Sequence, residues 1–270
     1  MPKVRPRFMF LLAPPLIVLL ILCAFWLKSA WDDPLNHGWK RLAYEPLEGA
    51  VLLLEAQDSN CVWRVDRNSG NGRVTITRGA QFATRHQKEV RLQTEAGTLV
   101  GTDHGEWGGG LALIDAQGAT PKPILGEGVK PFLGENVVQL LPVKSGVRVL
   151  TGLRHLDFDK GAIWLYEKDG SGDWSIKILD DLDAMPDFAI ISGSDILVVD
   201  GRGISRFDQA GGRKGSVPVL FRDLGPISVA EDARGRIYFG MKAFVVRLVR
   251  STSDHSGYVQ EWFTKQGCLP

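Results

Sequence analysis

Closely spaced metal ligands are missing from this sequence. Its five histidines, His37, His86, His104, His155 and His255, are scattered, and its three cysteines stand far apart. A structural zinc site, which needs Cys or His at hairpin or helix spacing, is therefore not expected. There is no Gly-x-Ser-x-Gly elbow and no P-loop. An excess of one charge sign is also absent: 32 Lys and Arg face 31 Asp and Glu. No basic footprint for nucleic acid is left once the N-terminal Lys3, Arg5 and Arg7 are set aside. Long helical periodicity is lacking beyond the N-terminus, which argues against a helical bundle.

One long apolar run is present. Phe8 to Leu27 carries no charge and is long enough to cross a bilayer as a helix, although Pro14 and Pro15 would kink it. Three basic residues precede it, whereas Asp32 and Asp33 follow, so the N-terminus is expected inside and the rest outside the cytoplasmic membrane. Two alternatives fit less well. A cleaved signal peptide would have Lys28 where a small residue is wanted, and lipidation at Cys23 would follow a bulky Leu20-Ile21-Leu22. The expected organisation is a cytoplasmic basic tip (1–7), a transmembrane anchor (8–27), a linker with a first strand (28–49) and one β-rich domain (50–270), periplasmic or extracellular.

From Ala50 on, short runs of Val, Ile, Leu and aromatic residues alternate with Gly, Asp, Asn and Ser, as in many short strands. Val51–Leu54, Thr98–Gly101, Arg148–Thr151, Ile196–Val199 and Ile237–Gly240 recur about every 40 to 50 residues. Each is followed by a second run: Cys61–Val65, Leu111–Ile114, Ala162–Tyr166, Ile204–Phe207 and Phe244–Leu248. Further strands flank these pairs, and four strands per repeat make a propeller blade. The fold class expected is all-β, a β-propeller of five blades preceded by one transmembrane helix.

The stretches Glu95–Thr102 and Glu231–Gly240 resemble the "DxxGxLYVG" strand-turn-strand of gluconolactonase, NHL and quinoprotein-like β-propellers. That resemblance implies a fold shared by proteins of many functions. The turn Asp169–Trp174 is similar to the Asp box of sialidase-type propellers, which is a turn device. The Asp66–Gly72 and Asp157–Gly161 stretches, which start like calcium loops, lack the carboxylate at the twelfth position and read as turns. Gly105–Gly110 leads into a strand rather than a helix, so a loop needing positive φ is expected there and not a phosphate cradle. Trp63, Trp107, Trp164, Trp174 and Trp262, spaced about one per blade, read as packing between blades more readily than as a sugar platform.

In a propeller the loops joining second and third strands gather on one face. Here they would carry Asp103, His104 and Glu106, Arg154 and His155, Asp200 and Arg202, and Met241 and Lys242. Beside the plain reading of a solvated surface, this polar face is a candidate site for a small polar ligand or an envelope protein, with no cofactor and the bilayer as the anchor's partner. The enzymatic alternative is a lactonase-type hydrolase using a divalent metal at Asp103, Glu106 and Asp200 with His104 or His155. Cys61 and Cys268 are the two cysteines outside the apolar run, and oxidising conditions outside the cytoplasm permit a disulfide that clasps first and last blades. Two buried thiols are the other possibility.

Overall fold

The structure, a computed structural model, describes residues 33–36, 38–43, 59–68, 70–79, 89–115, 118, 120–124, 135–218, 226–251 and 257–269. The expected anchor at 8–27 and the expected strand Val51–Leu54 lie outside them. Among the described residues no helix is long and apolar enough to cross a membrane.

The described chain is all-β and forms five antiparallel sheets. The first holds β2 (Trp63–Arg67) and β3 (Val74–Arg78). The second holds β4 (Glu89–Thr94), β5 (Gly97–Asp103), β6 (Gly109–Ile114) and β7 (Lys122–Pro123). The third holds β8 (Asn136–Val143), β9 (Gly146–His155), β10 (Phe158–Lys168) and β11 (Trp174–Leu182). The fourth holds β12 (Pro186–Ser192), β13 (Asp195–Asp200), β14 (Gly203–Asp208) and β15 (Arg213–Pro218). The fifth holds β16 (Ser228–Glu231), β17 (Ile237–Gly240), β18 (Phe244–Arg250) and β19 (Tyr258–Lys265), and on its outer edge it takes in β1 (Trp39–Arg41) from the start of the described chain.

The paired runs read from the sequence are the two central strands of each four-strand meander, β5–β6, β9–β10, β13–β14 and β17–β18. Their near-continuous hydrophobicity has a physical cause: both faces are covered. Side chains alternate across a strand, so each sheet divides its residues between two neighbours. On β13, Ile196 and Val198 join Leu150, Ile163 and Leu182 of the third sheet, whereas Leu197 and Val199 join Ile237, Phe239 and Val246 of the fifth. Val149 and Trp164 of the third sheet turn the other way, to Leu99 and Leu111 of the second. The opposite face of the fifth sheet, with Tyr238, Val245 and Phe263, packs on Trp63, Val65 and Val74 of the first. Sheets two to five thus stack in chain order and the fifth returns to the first, a propeller-like arrangement.

Three devices join the fifth sheet to the start of the chain. The expected disulfide is present between Cys61 and Cys268, with Cα atoms 5.5 Å apart. Strand β1 pairs antiparallel with β19, Trp39 opposite Lys265 and Arg41 opposite Phe263. Asp33, almost fully buried, accepts hydrogen bonds from Arg236, at 2.8 Å, and from Arg247. Those two guanidiniums are also held by Asp232 and Glu261, so each charge removed from water has partners of opposite sign, as burial demands.

Candidate functional site

The loops joining second and third strands come from sheets two to five, and those of sheets two to four lie side by side. After β5 the chain makes one 3-10 turn, Gly105–Trp107, entered with Gly105 at φ 67° and left through Gly108 at φ 80°. This is the positive-φ loop expected of the glycine-rich stretch. Its base is tied to the third sheet by buried Asn136, whose Oδ1 accepts from His104 N at 3.0 Å and whose Nδ2 donates to Gly105 O at 2.6 Å. Beside it, Glu106 Oε2 lies 2.8 Å from His155 Nδ1 at the end of β9. The neighbouring Arg154 faces the fourth sheet. Its Nη2 donates to Met185 O at 3.2 Å, and its Nε is 3.3 Å from Asp159 Oδ1. A Cβ on Gly201, in the next loop, would sit 3.6 Å from Arg154 Nη2. Glu106, His155, Arg154 and the Asp200–Arg202 turn therefore form a continuous row. Lys242 lies in the loop of the fifth sheet, which turns toward the first: Lys242 pairs with Val62, and Ala243 N donates to Cys61 O at 2.8 Å.

The two best-buried carboxylates of the expected set face their own turns. Asp103 Oδ1 accepts from Gly105 N at 2.7 Å, and Asp200 Oδ1 accepts from Arg202 N at 2.7 Å and Gly203 N at 3.0 Å. This is ordinary Asx-turn chemistry, in which an aspartate closes the backbone two residues on. Burial raises the Asp200 carboxyl above the usual carboxylate range, the two backbone N–H groups work against that rise, and the charges of Asp187 and Asp159 add to it. Asp200 and Arg202 also border a cleft of about 150 Å³ with Asp183, Ser205, Arg213 and Ser216. Among the described residues no three His, Cys, Asp or Glu side chains gather into a group that could hold a metal ion.

The turns with calcium-like or Asp-box beginnings are hairpin devices. Asp169 Oδ1 takes the N–H groups of Ser171 and Asp173 at 2.9 and 3.0 Å, and Trp174 stacks on Tyr166 with ring centroids 4.8 Å apart. Asn68 does the same between β2 and β3, accepting from Gly70 N at 2.9 Å. Of the tryptophans, Trp63, Trp164 and Trp262 are buried as expected, but Trp107 is 84% exposed.

Asp187 and Leu156 of this face were not picked out from the sequence, and Phe158 and Asp159 only as part of a turn. Asp187 stands on β12 next to Pro186, the cross-strand partner of Asp200, and Asp159 is brought to them from the third sheet by the stacking of sheets. Leu156 and Phe158, at the β9–β10 turn, carried a local signal: a leucine at φ 50° occupies a position where glycine or asparagine is usual.

No family model matches the chain, and no curated protein does. Among solved structures the chain is similar to a calcium-binding regucalcin from Agrobacterium tumefaciens, with 14% identity over 76% of this chain and 75% of that one and a TM-score of 0.38. Neither a site nor an activity follows from so loose a likeness.

Proposed function

We propose that the chain is a five-bladed propeller, held at the outer side of the cytoplasmic membrane by residues 8–27, that serves as a non-enzymatic interaction module. Its working face is the row of loops from Glu106 through His155 and Arg154 to Asp200 and Arg202. The observation that supports this role best is how the polar groups are spent. Asp103 and Asp200 are occupied in closing turns, Glu106 is paired with His155 between the second and third sheets, and Arg154 is paired with Asp159 across two strands of the third. Such a face recognises shape and charge. The small cleft at Asp200 and Arg202 would suit a small polar ligand with hydroxyl or carboxylate groups.

The lactonase-type alternative makes a different demand, a divalent ion on Asp103, Glu106 and Asp200 with His104 or His155. Metal analysis of the purified chain, with and without Asp200→Ala, followed by a lactone hydrolysis assay, separates the two. The interaction module predicts less than one equivalent of tightly bound divalent ion and no hydrolysis above background. A stoichiometric ion lost in the variant, together with turnover, would replace it by the hydrolase.

A further inference from the structure

The three most exposed large apolar side chains among the described residues stand on two adjacent loops of this face. Trp107 is 84% exposed in the loop after β5, Leu156 is 88% exposed in the β9–β10 turn, and Phe158 follows at 52%. Together they offer about 400 Å² of apolar surface, near the size of the largest patch a typical monomer shows and half of one side of an ordinary protein interface. Their presentation is rigid. Asn136 bolts the first loop to β8, and the Glu106–His155 pair ties the tips of both loops together. Leu156 is held at φ 50°, a conformation that is unfavourable for a bulky residue and that a glycine or asparagine would adopt more easily. Exposure, strain and preorganisation coincide at one spot.

We infer that Trp107, Leu156 and Phe158 are the anchor side chains of a docking surface for another protein, one that presents an apolar pocket with a rim of both charge signs. This deepens the proposed interaction role and rests on it. Two features favour a protein over a bilayer. The first is charge. Around the patch stand Glu106, Asp157 and Asp159 against Arg154, His155 and Lys160, with no basic excess of the kind that draws a loop to anionic headgroups. A polar rim of mixed sign about an aromatic and aliphatic centre is the composition of a protein interface. The second is reach. Asp33 is fixed to Arg236 and Arg247 of the fifth sheet, and six residue steps separate it from Leu27, a span of about 20 Å at full extension. The patch belongs to the second and third sheets, which the stacking order places farthest round from the fifth, in a domain about 45 Å across. On the proposed anchoring, a tether that short keeps the fifth sheet near the membrane and leaves the second and third sheets the farther from it.

The test uses the full-length chain in its own membranes, with the photocrosslinking residue p-benzoylphenylalanine placed at position 107, and at position 202 as a second site on the same face. The expected result is an adduct at 107 with one protein, identified by mass spectrometry. When that protein is purified, it should bind the full-length chain in nanodiscs, and Leu156→Asp with Phe158→Asp should weaken binding at least thirtyfold at an unchanged melting temperature. Purified chain with vesicles of phosphatidylethanolamine and phosphatidylglycerol (3:1) should show no Trp107-dependent binding. Crosslinking at 202 without any at 107 would overturn the docking patch while leaving the interaction face standing. Silence at both positions would remove both. Adducts at 107 only with a second copy of the chain, or Trp107-dependent vesicle binding, would assign the patch to self-association or to lipid and overturn the proposal.

Discussion

Removing the Cys61–Cys268 disulfide tests how the first and fifth sheets are held together. The bond closes a loop of 207 residues. In the chain-entropy treatment such a loop restricts the unfolded chain by about 18 cal/mol/K, which is about 5 kcal/mol at 25 °C. For a chain of roughly 240 residues the unfolding entropy is about 0.5 kcal/mol/K, so the full effect corresponds to a fall of about 10 °C in melting temperature. Strand β1 and Asp33 close the same junction without a covalent bond, but they do not restrict the unfolded chain and leave this contribution intact. The perturbation is Cys61→Ser with Cys268→Ser, so that no lone thiol is left, in a soluble chain beginning at Asp33. Urea and thermal unfolding followed by far-ultraviolet circular dichroism give the midpoint. The slope against urea should also rise, because an uncrosslinked unfolded chain exposes more surface. A midpoint within 2 °C of the parent, with unchanged slope, would refute the clasp as a source of stability.

Other changes probe the same structure. Asp33→Ala leaves Arg236 and Arg247 each with one acid partner, so a loss of about 2–3 kcal/mol is expected in urea unfolding. Burial works to raise the Asp195 carboxyl, but hydrogen bonds from Lys214 and Arg206 outweigh it and hold its pKa at about 2. A depressed folded value gives stability that is present above the ordinary carboxylate range and lost as pH falls toward 2, so Asp195→Asn should flatten stability against pH between about 4 and 2. Asp200 has the opposite sign. Its folded value is raised, so its contribution worsens as pH rises above the usual carboxylate range; Asp200→Asn keeps an acceptor for Arg202 N and Gly203 N and should be at least as stable as the parent at pH 7, measured by thermal shift.

The central strand pairs were legible because burial on two faces leaves near-continuous runs such as Ile196–Val199, bounded by turn residues whose side chains close the backbone, Asp208, Asp232 and Asn68 among them. Strand β1 was not readable with its partner: three residues, Trp39-Lys40-Arg41, show no pattern, and β19 lies more than two hundred residues later. Asp33 entered the sequence reading only as a charge behind an apolar run, since nothing local shows that Arg236 and Arg247 will reach it. Arg148 is similar. It opens an apolar run, yet the fold buries it and points Nη2 at Gln209 O. The site face was found through topology, which fixes which loops share an end of the sheets. What each side chain does there depends on closer geometry. The turn-closing roles of Asp103 and Asp200 were written in the glycines that follow them, whereas the exposure of Trp107 was hidden by the regular spacing it shares with buried tryptophans.

The place of β1 in the fifth sheet sets a clock on the protein's assembly. This strand leaves the ribosome near the beginning of synthesis and its partner β19 at the end, so the edge of β19 and the apolar face of Tyr238, Val245 and Phe263 can be covered only once the whole chain has been delivered. Sheets two to four are meanders of local pairings and can form in turn as they emerge. The last step is a long-range search by two ends of the chain, and until it succeeds an unpaired strand edge and an open core are exposed together. Substitutions at β1 or Asp33 should therefore lower the yield of folded protein more than they lower the stability of the molecules that do close.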